Sequence, residues 1–368
     1  MSDFQNLYIH LPFCKHKCGY CDFNAYAGMD RLMPDYVEAL ERELAEAART
    51  RPFATLNTVY LGGGTPSLLP AALIARLLRF IRETFDVAPD AEVTLEANPG
   101  STDAARLAAW LGGGVNRLSL GVQGFDGRAL AVLERRTDAA QAEAAFWLAR
   151  EGGMRNINVD LIYAVPYQSR TTWLDTLQRA LALEPDHIST YCLTFEEGTL
   201  LWRRRAQGKL PEVESDLQWD QLDAACDVLA QAGYARYEVS NWARPGFESR
   251  HNFAYWRCSP VYGAGAGAHS YSRDDAGARR WWNVARPREY IAACPTPVAD
   301  GEELDLRKSR AESLMLGLRT AEGMAAPPGF QAELDQLAAD GLIERQDGRV
   351  TPTRRGLDLH NQIALAVL

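Results

Sequence analysis

Apolar residues follow two rhythms through the first two hundred positions, and the rhythms alternate. Runs rich in Val, Ile and Leu read as strands: LYIHL (7–11), NTVYLGG (57–63), EVTLEA (92–97), RLSLGV (117–122), INVDLIY (157–163) and HISTYCL (187–193). Between the first two, Met33, Val37, Leu40, Leu44 and Ala48 recur at helical spacing, and Leu73, Leu77, Ile81 and Phe85 do so after the second. Six strand–helix units in a row predict a parallel sheet, because parallel neighbours need a crossover that is usually helical. Short apolar runs also predict strands covered on both faces. The periodicity fits a six-unit barrel and an open doubly wound sheet equally well.

After residue 200 the rhythm changes. A basic cluster, WRRRAQGK, precedes one helix over about 217–233, and an aromatic, glycine-rich region then runs to about 300. The tail reads as helix (308–318), helix (330–340), a hairpin in GLIERQDGRVTP turning at Asp347-Gly348, and a last helix. That order predicts a winged-helix-like α+β domain over 306–368, behind a barrel over 1–235 and a flanking region over 236–305.

Composition narrows the class. With 47% hydrophobic and 24% charged residues, the chain has the balance of an ordinary globular protein. A net charge of −9 argues against non-specific nucleic-acid binding. The tail's candidate recognition helix, GFQAELDQLAADG, agrees, carrying acids and no Lys or Arg. Its domain suits partner docking better. No secretory signal or spanning segment is visible, so the expected compartment is the cytoplasm, with at most peripheral membrane association.

Seven cysteines punctuate the chain, and three of them, Cys14, Cys18 and Cys21, fall within eight positions after the first strand. Parallel α/β folds keep their sites at that strand end. Three thiolates are one short of closing a tetrahedral zinc site or a four-iron cluster, so a cubane held by them leaves one iron open. Zinc completed by His10 or His16 is the rival; three unrelated thiols is the bland alternative, which the clustering disfavours.

The cysteine loop, with Tyr20 before Cys21, resembles that of radical S-adenosylmethionine (SAM) proteins. The resemblance implies a [4Fe–4S] cluster on Cys14, Cys18 and Cys21, SAM on the open iron, and a partial (β/α)6 barrel of TIM type. Other strand ends agree: Gly62, Gly63 and Gly64 allow close backbone approach, Glu96 ends the third strand, Gln123 follows the fourth, and Asp160 lies in the fifth. Along nearly the whole chain the sequence is similar to the oxygen-independent coproporphyrinogen III oxidase family, and within it to the HemW-type heme chaperones. YIHLPFCKHKCGYCDFN, YLGGGTPSLL, LEANPG, RLSLGVQGF, NVDLIY and SRHNFAYW carry the likeness. It implies SAM contacts at Tyr8, Tyr20, Gly63, Gly64, Thr65, Glu96, Gln123, Arg135 and Asp160. The oxidase has a further cysteine where this chain has Phe23, and a long N-terminal extension where seven residues precede Tyr8. Both differences favour the chaperone and argue against oxidase activity.

The HNFAYW signature implies heme contacts at His251, Asn252, Tyr255 and Trp256; one imidazole can ligate iron while aromatics stack on the macrocycle. The structural alternative is a turn-capping histidine with aromatics in the core. His269, the Cys294-Pro295 pair and Arg203 to Arg205 are weaker heme candidates. The expected function is a heme chaperone that passes heme to acceptor haemoproteins. The alternative is a radical SAM enzyme acting on a tetrapyrrole, which would need an electron donor to cleave SAM.

Overall fold

A computed structural model describes residues 3–368. Twelve strands form one continuous, unclosed sheet. Its centre is the predicted parallel set: β1 (Phe4–Leu11), β2 (Phe53–Gly63), β3 (Val87–Ala97), β4 (Arg117–Gln123), β5 (Asn156–Tyr163) and β6 (His187–Cys192). Each pairs in parallel with the next, so chain order is spatial order, as in a partial barrel. Two of the strands begin four or five residues earlier than their apolar runs do.

The region after 235 extends the same sheet at both edges. The strands β7 (Ala235–Glu238) and β8 (Asn241–Ala243) add antiparallel beyond β6. On the far side β9 (Val261–Ala264) pairs in parallel with β1, and a meander of β10 (His269–Asp274), β11 (Gly277–Asn283) and β12 (Val298–Asp305) follows. The sequence reading left this stretch unassigned, because glycine and aromatics there obscure the alternation. The tail keeps its own small core around Leu314, Phe330, Leu334, Val350 and Ile363. Its hairpin (Ile343–Gln346 with Arg349–Pro352) turns at Asp347 and Gly348, both with positive φ, as a type I′ turn requires.

Only one face of the central sheet is apolar, which corrects the expectation of strands covered on both. Leu118, Leu120 and Val122 of β4, and Ile157, Val159 and Leu161 of β5, join the main core on the helix side. Their alternates, Arg117, Ser119 and Gln123, and Asn158 and Asp160, line a cavity on the concave side. Period-two alternation of this kind is the mark of a strand with two different environments. The helix Met33–Thr50 also buries a carboxylate, Glu43 (1% exposed), in its apolar stripe. It accepts from Gly265 N (2.9 Å), Asn283 Nδ2 (2.7 Å) and Tyr290 Oη (2.5 Å), tying this first helix to the late strands.

Candidate functional site

A cavity of about 510 Å³ occupies the concave side of the sheet, open at the C-terminal strand ends. The loop after β1 forms its mouth. Gly64 N–H donates to Leu11 O (2.9 Å) and Thr65 N–H to Phe13 O (2.8 Å), fastening the glycine run of β2 against that loop. A Cβ on Gly63 would lie 2.4 Å from the His10 ring, and one on Gly64 2.8 Å from Phe13 O, so the contact requires glycine at both. Asn24 steadies the far end of the loop by donating to Ala266 O and Ala285 O, both at 2.9 Å.

All three loop thiols line this cavity. Thr65 Oγ1 lies 3.4 Å from Cys14 Sγ, and Arg135 Nη1 donates to Cys18 Sγ at 3.7 Å. Burial raises the Cys14 thiol above its ordinary value and pushes Cys21 up to about 11, so near neutral pH each stays protonated unless a metal displaces its proton. No three His, Cys, Asp or Glu side chains among the described residues converge on one ion. A cubane offers each thiolate a different iron and needs no such point. The rival ligand His10 is committed on both ring nitrogens, to Tyr8 Oη (3.0 Å) and Asn24 O (2.9 Å). His16 instead sits 3.8 Å from Glu134. The donor set suits a three-cysteine cluster.

The strand ends and the loops between them supply the rest of the lining: Tyr20, Gly63, Gly64, Thr65, Glu96, Gln123, Arg135 and Asp160 all border the cavity. Glu96 accepts from Tyr60 Oη (2.8 Å) and Gly63 N–H (3.0 Å); desolvation, reinforced by Asp160, pushes its carboxyl up to about 7. Asp160 accepts from Asn158 Nδ2 (2.8 Å) and Ser119 Oγ (3.2 Å), and burial raises it too. Gln123 has φ 70°, the left-handed region, a strained conformation of the kind that gathers at ligand sites. Tyr8 does not border the cavity; it stands behind the wall between His10, Tyr60 and His251.

The HNFAYW signature is split. It forms the helix Arg250–Trp256, which packs against the N-terminal half of the barrel. Glu92 of β3 accepts from the N–H groups of Arg250 (2.9 Å) and His251 (3.0 Å), binding that helix end with a carboxylate. Asn252 faces the cavity. His251 is 1% exposed, its Nδ1 2.7 Å from Thr58 Oγ1 and its ring stacked on Tyr60 and edge-on to Tyr255. Its Nε2 is enclosed, so a macrocycle reaches it only if the helix moves. Trp256 turns away to a second cavity of about 430 Å³ beside the tail, under Arg319.

The weaker candidates also find structural places. Arg204 pairs with Glu134 (2.8 Å) and Arg205 with Glu212, Cys294 packs on the main core, and His269 stacks on Trp282. Sequence reasoning missed Tyr60, Arg117, Ser119, Asn158 and Ser189 in the lining. The alternation of polar and apolar residues in RLSLGVQ and NVDLIY was the signal for several of them.

The radical SAM superfamily profile matches residues 8–180. The whole chain shares its fold with coproporphyrinogen III oxidase (HemN) from Escherichia coli: TM-score 0.84, 24% identity, over 99% of this chain and 90% of that one. Fold and cysteine loop thus place the molecule among radical SAM proteins. The heme chaperone HemW of Mycobacterium tuberculosis (strain H37Rv) is 39% identical over 98% of this chain and 94% of its own length. That of Bacillus subtilis (strain 168) is 32% identical over 99% of each. The chain belongs to the HemW family of heme chaperones.

Proposed function

We propose that this chain carries a [4Fe–4S] cluster on Cys14, Cys18 and Cys21, binds SAM in the barrel cavity, and binds heme for delivery to acceptor haemoproteins in the cytoplasm. The observation that carries the reading is convergence: three thiols of one loop and polar groups from β2 to β5 open into the same space. The cluster would supply an open iron and an electron. Around it, Gly63, Gly64 and Thr65 hold the loop, and Arg135 offers a guanidinium beside Cys18 for a carboxylate. Glu96, Asp160 and Gln123 offer oxygens and an amide to hydroxyl and ammonium groups; Tyr20 closes one side.

Heme is best accommodated at the rim. Phe23 (63% exposed) and Tyr191 (42% exposed) stand there as bare aromatics, and exposed apolar surface of this kind marks binding sites. A flat apolar disc can stack on them. His251 then serves the barrel floor, and Asn252 is the member of HNFAYW that meets the cavity. The tail domain suits docking of an acceptor. Phe23 in the place of the oxidase's cysteine argues against coproporphyrinogen III oxidase activity.

A second reading, a radical SAM enzyme with an external electron donor, draws on one feature. The cavity continues below Glu96 and Asp160 to a polar floor, with room for a substrate group. One sample separates the two: reconstitute the cluster anaerobically, titrate heme, then assay coproporphyrinogen III turnover with SAM and a reductant. The chaperone reading expects a heme Soret band and no turnover. Turnover near one per second, or even a hundredfold slower, would overturn it.

A further inference from the structure

The cavity floor holds a cation that the protein leaves unpaired. Arg117 opens β4, is 2% exposed, and lines the cavity. Its Nε is buried without a partner, and no hydrogen bond or ion pair joins its guanidinium to any other described residue. The two nearby carboxylates feel its charge but bond elsewhere, Glu96 to Tyr60 and Gly63, Asp160 to Asn158 and Ser119. Arginine cannot escape by losing its proton, as a buried lysine can. A buried, unpaired guanidinium is among the costliest groups a fold can carry. Its field also reaches the floor histidines: burial holds His187 and His251 neutral, and Arg117 adds to the effect.

We propose that Arg117 anchors a carboxylate of the ligand that fills the barrel. Gln123 stands six residues further up β4, so the Arg117 Cα lies about 20 Å below it along the strand. The guanidinium therefore approaches the ligand from the end opposite the thiols. The planar fork matches a carboxylate bidentately. A phosphate fits less well: Glu96 and Asp160 would repel a second negative charge, and the nearby helix start is already taken by Glu92. The carboxylate is a heme propionate reaching down from the rim; the methionine end of SAM belongs with the open iron at the opposite end. That choice of ligands rests on the function proposed above; the readiness of the floor for a carboxylate does not.

The test compares the full-length wild type with Arg117→Met. Without ligand, the methionine variant should melt a few degrees higher, since an unpaired buried charge is gone; a structural arginine would give the reverse. Sodium propionate should raise the melting temperature of the wild type alone. On reconstituted protein, a tenfold or greater loss of heme affinity identifies the propionate as the source, and heme dimethyl ester should then bind both proteins alike. An equal loss for SAM, whose carboxylate belongs with the open iron, would overturn the anchor and mark Arg117 as a support of the whole cavity. Arg117→Lys keeps the charge without the fork; it should bind about tenfold more weakly, and it carries the test if the methionine variant does not fold. The proposal falls if Arg117→Met melts lower and binds heme and SAM within twofold of wild type. Should wild type bind neither heme nor SAM while propionate still protects it alone, the heme and SAM reading falls and the anchor stands.

Discussion

The mouth and the floor of the barrel are built on opposite plans. At the mouth, three thiols, a strained Gln123 and two bare aromatics face open space with few protein partners. On the floor, Glu92, Thr58 and His251 Nδ1 are engaged with one another or with the helix Arg250–Trp256, and Asn158 with His187, Ser119 and Asp160; His251 Nε2 is buried without a partner. Both regions carry family signatures, yet most floor side chains are bonded within the fold, with the Arg117 guanidinium and His251 Nε2 as exceptions, while those at the mouth await something else. A side chain's unspent bonding capacity, more than its place in a motif, shows which role it has.

The largest effect should come from the mouth. Serine at Cys14, Cys18 or Cys21 is expected to abolish iron binding, from about four irons per chain to near none, with the circular dichroism unchanged. Serine at Cys192, Cys226, Cys258 or Cys294 should leave iron content intact. Iron loss in Cys258→Ser alone would erase the contrast.

Breaking the floor should instead cost stability. Glu92→Ala strands two buried N–H donors at a helix start and is expected to lower unfolding free energy by about 3 kcal/mol, measured in urea. His251→Ala opens a small void and removes one of the two hydrogen bonds at Thr58 Oγ1, for about 2 kcal/mol. Its heme Soret band should stay where it is; a shifted band would return His251 to the ligand set.

The smallest effect is a pH slope. The Glu96 carboxyl titrates near 7 in the fold, above its ordinary value near 4.5. The folded state thus holds its proton longer than the unfolded chain does. Its contribution is full below about pH 4.5 and is lost as pH rises through 7. Glu96→Gln should flatten that part of the stability profile; an unchanged slope would mean that other groups set it.

Much of the fold was legible because the outer face of each parallel strand is apolar and each crossover helix keeps its stripe. The inner face was misjudged: Arg117, Ser119 and Asn158 alternate with leucines and valines, but short strands gave the apolar half more weight. Glu43 and Glu92 could not be found by pattern, since their partners lie about 220 and 160 residues away in sequence. The cysteine loop was readable because all three thiols are local. The burial of His251 was not, because a motif records which residues are present and not which of their atoms the fold encloses.

The seating of β1 between β2 and β9 has a consequence for synthesis. Until residues 261–264 leave the ribosome, one edge of β1 has no neighbour. Asn24 likewise lacks its two acceptors until Ala266 and Ala285 are in place. At roughly 5–20 residues per second, that interval lasts on the order of ten to fifty seconds. Through it the nascent chain exposes a pairing edge beside a half-anchored trio of thiols, open to wrong partners and to oxidation. Iron supplied during that window would meet a loop not yet held in shape, so a cluster on these thiols would be loaded after translation, when the last strands have locked the first.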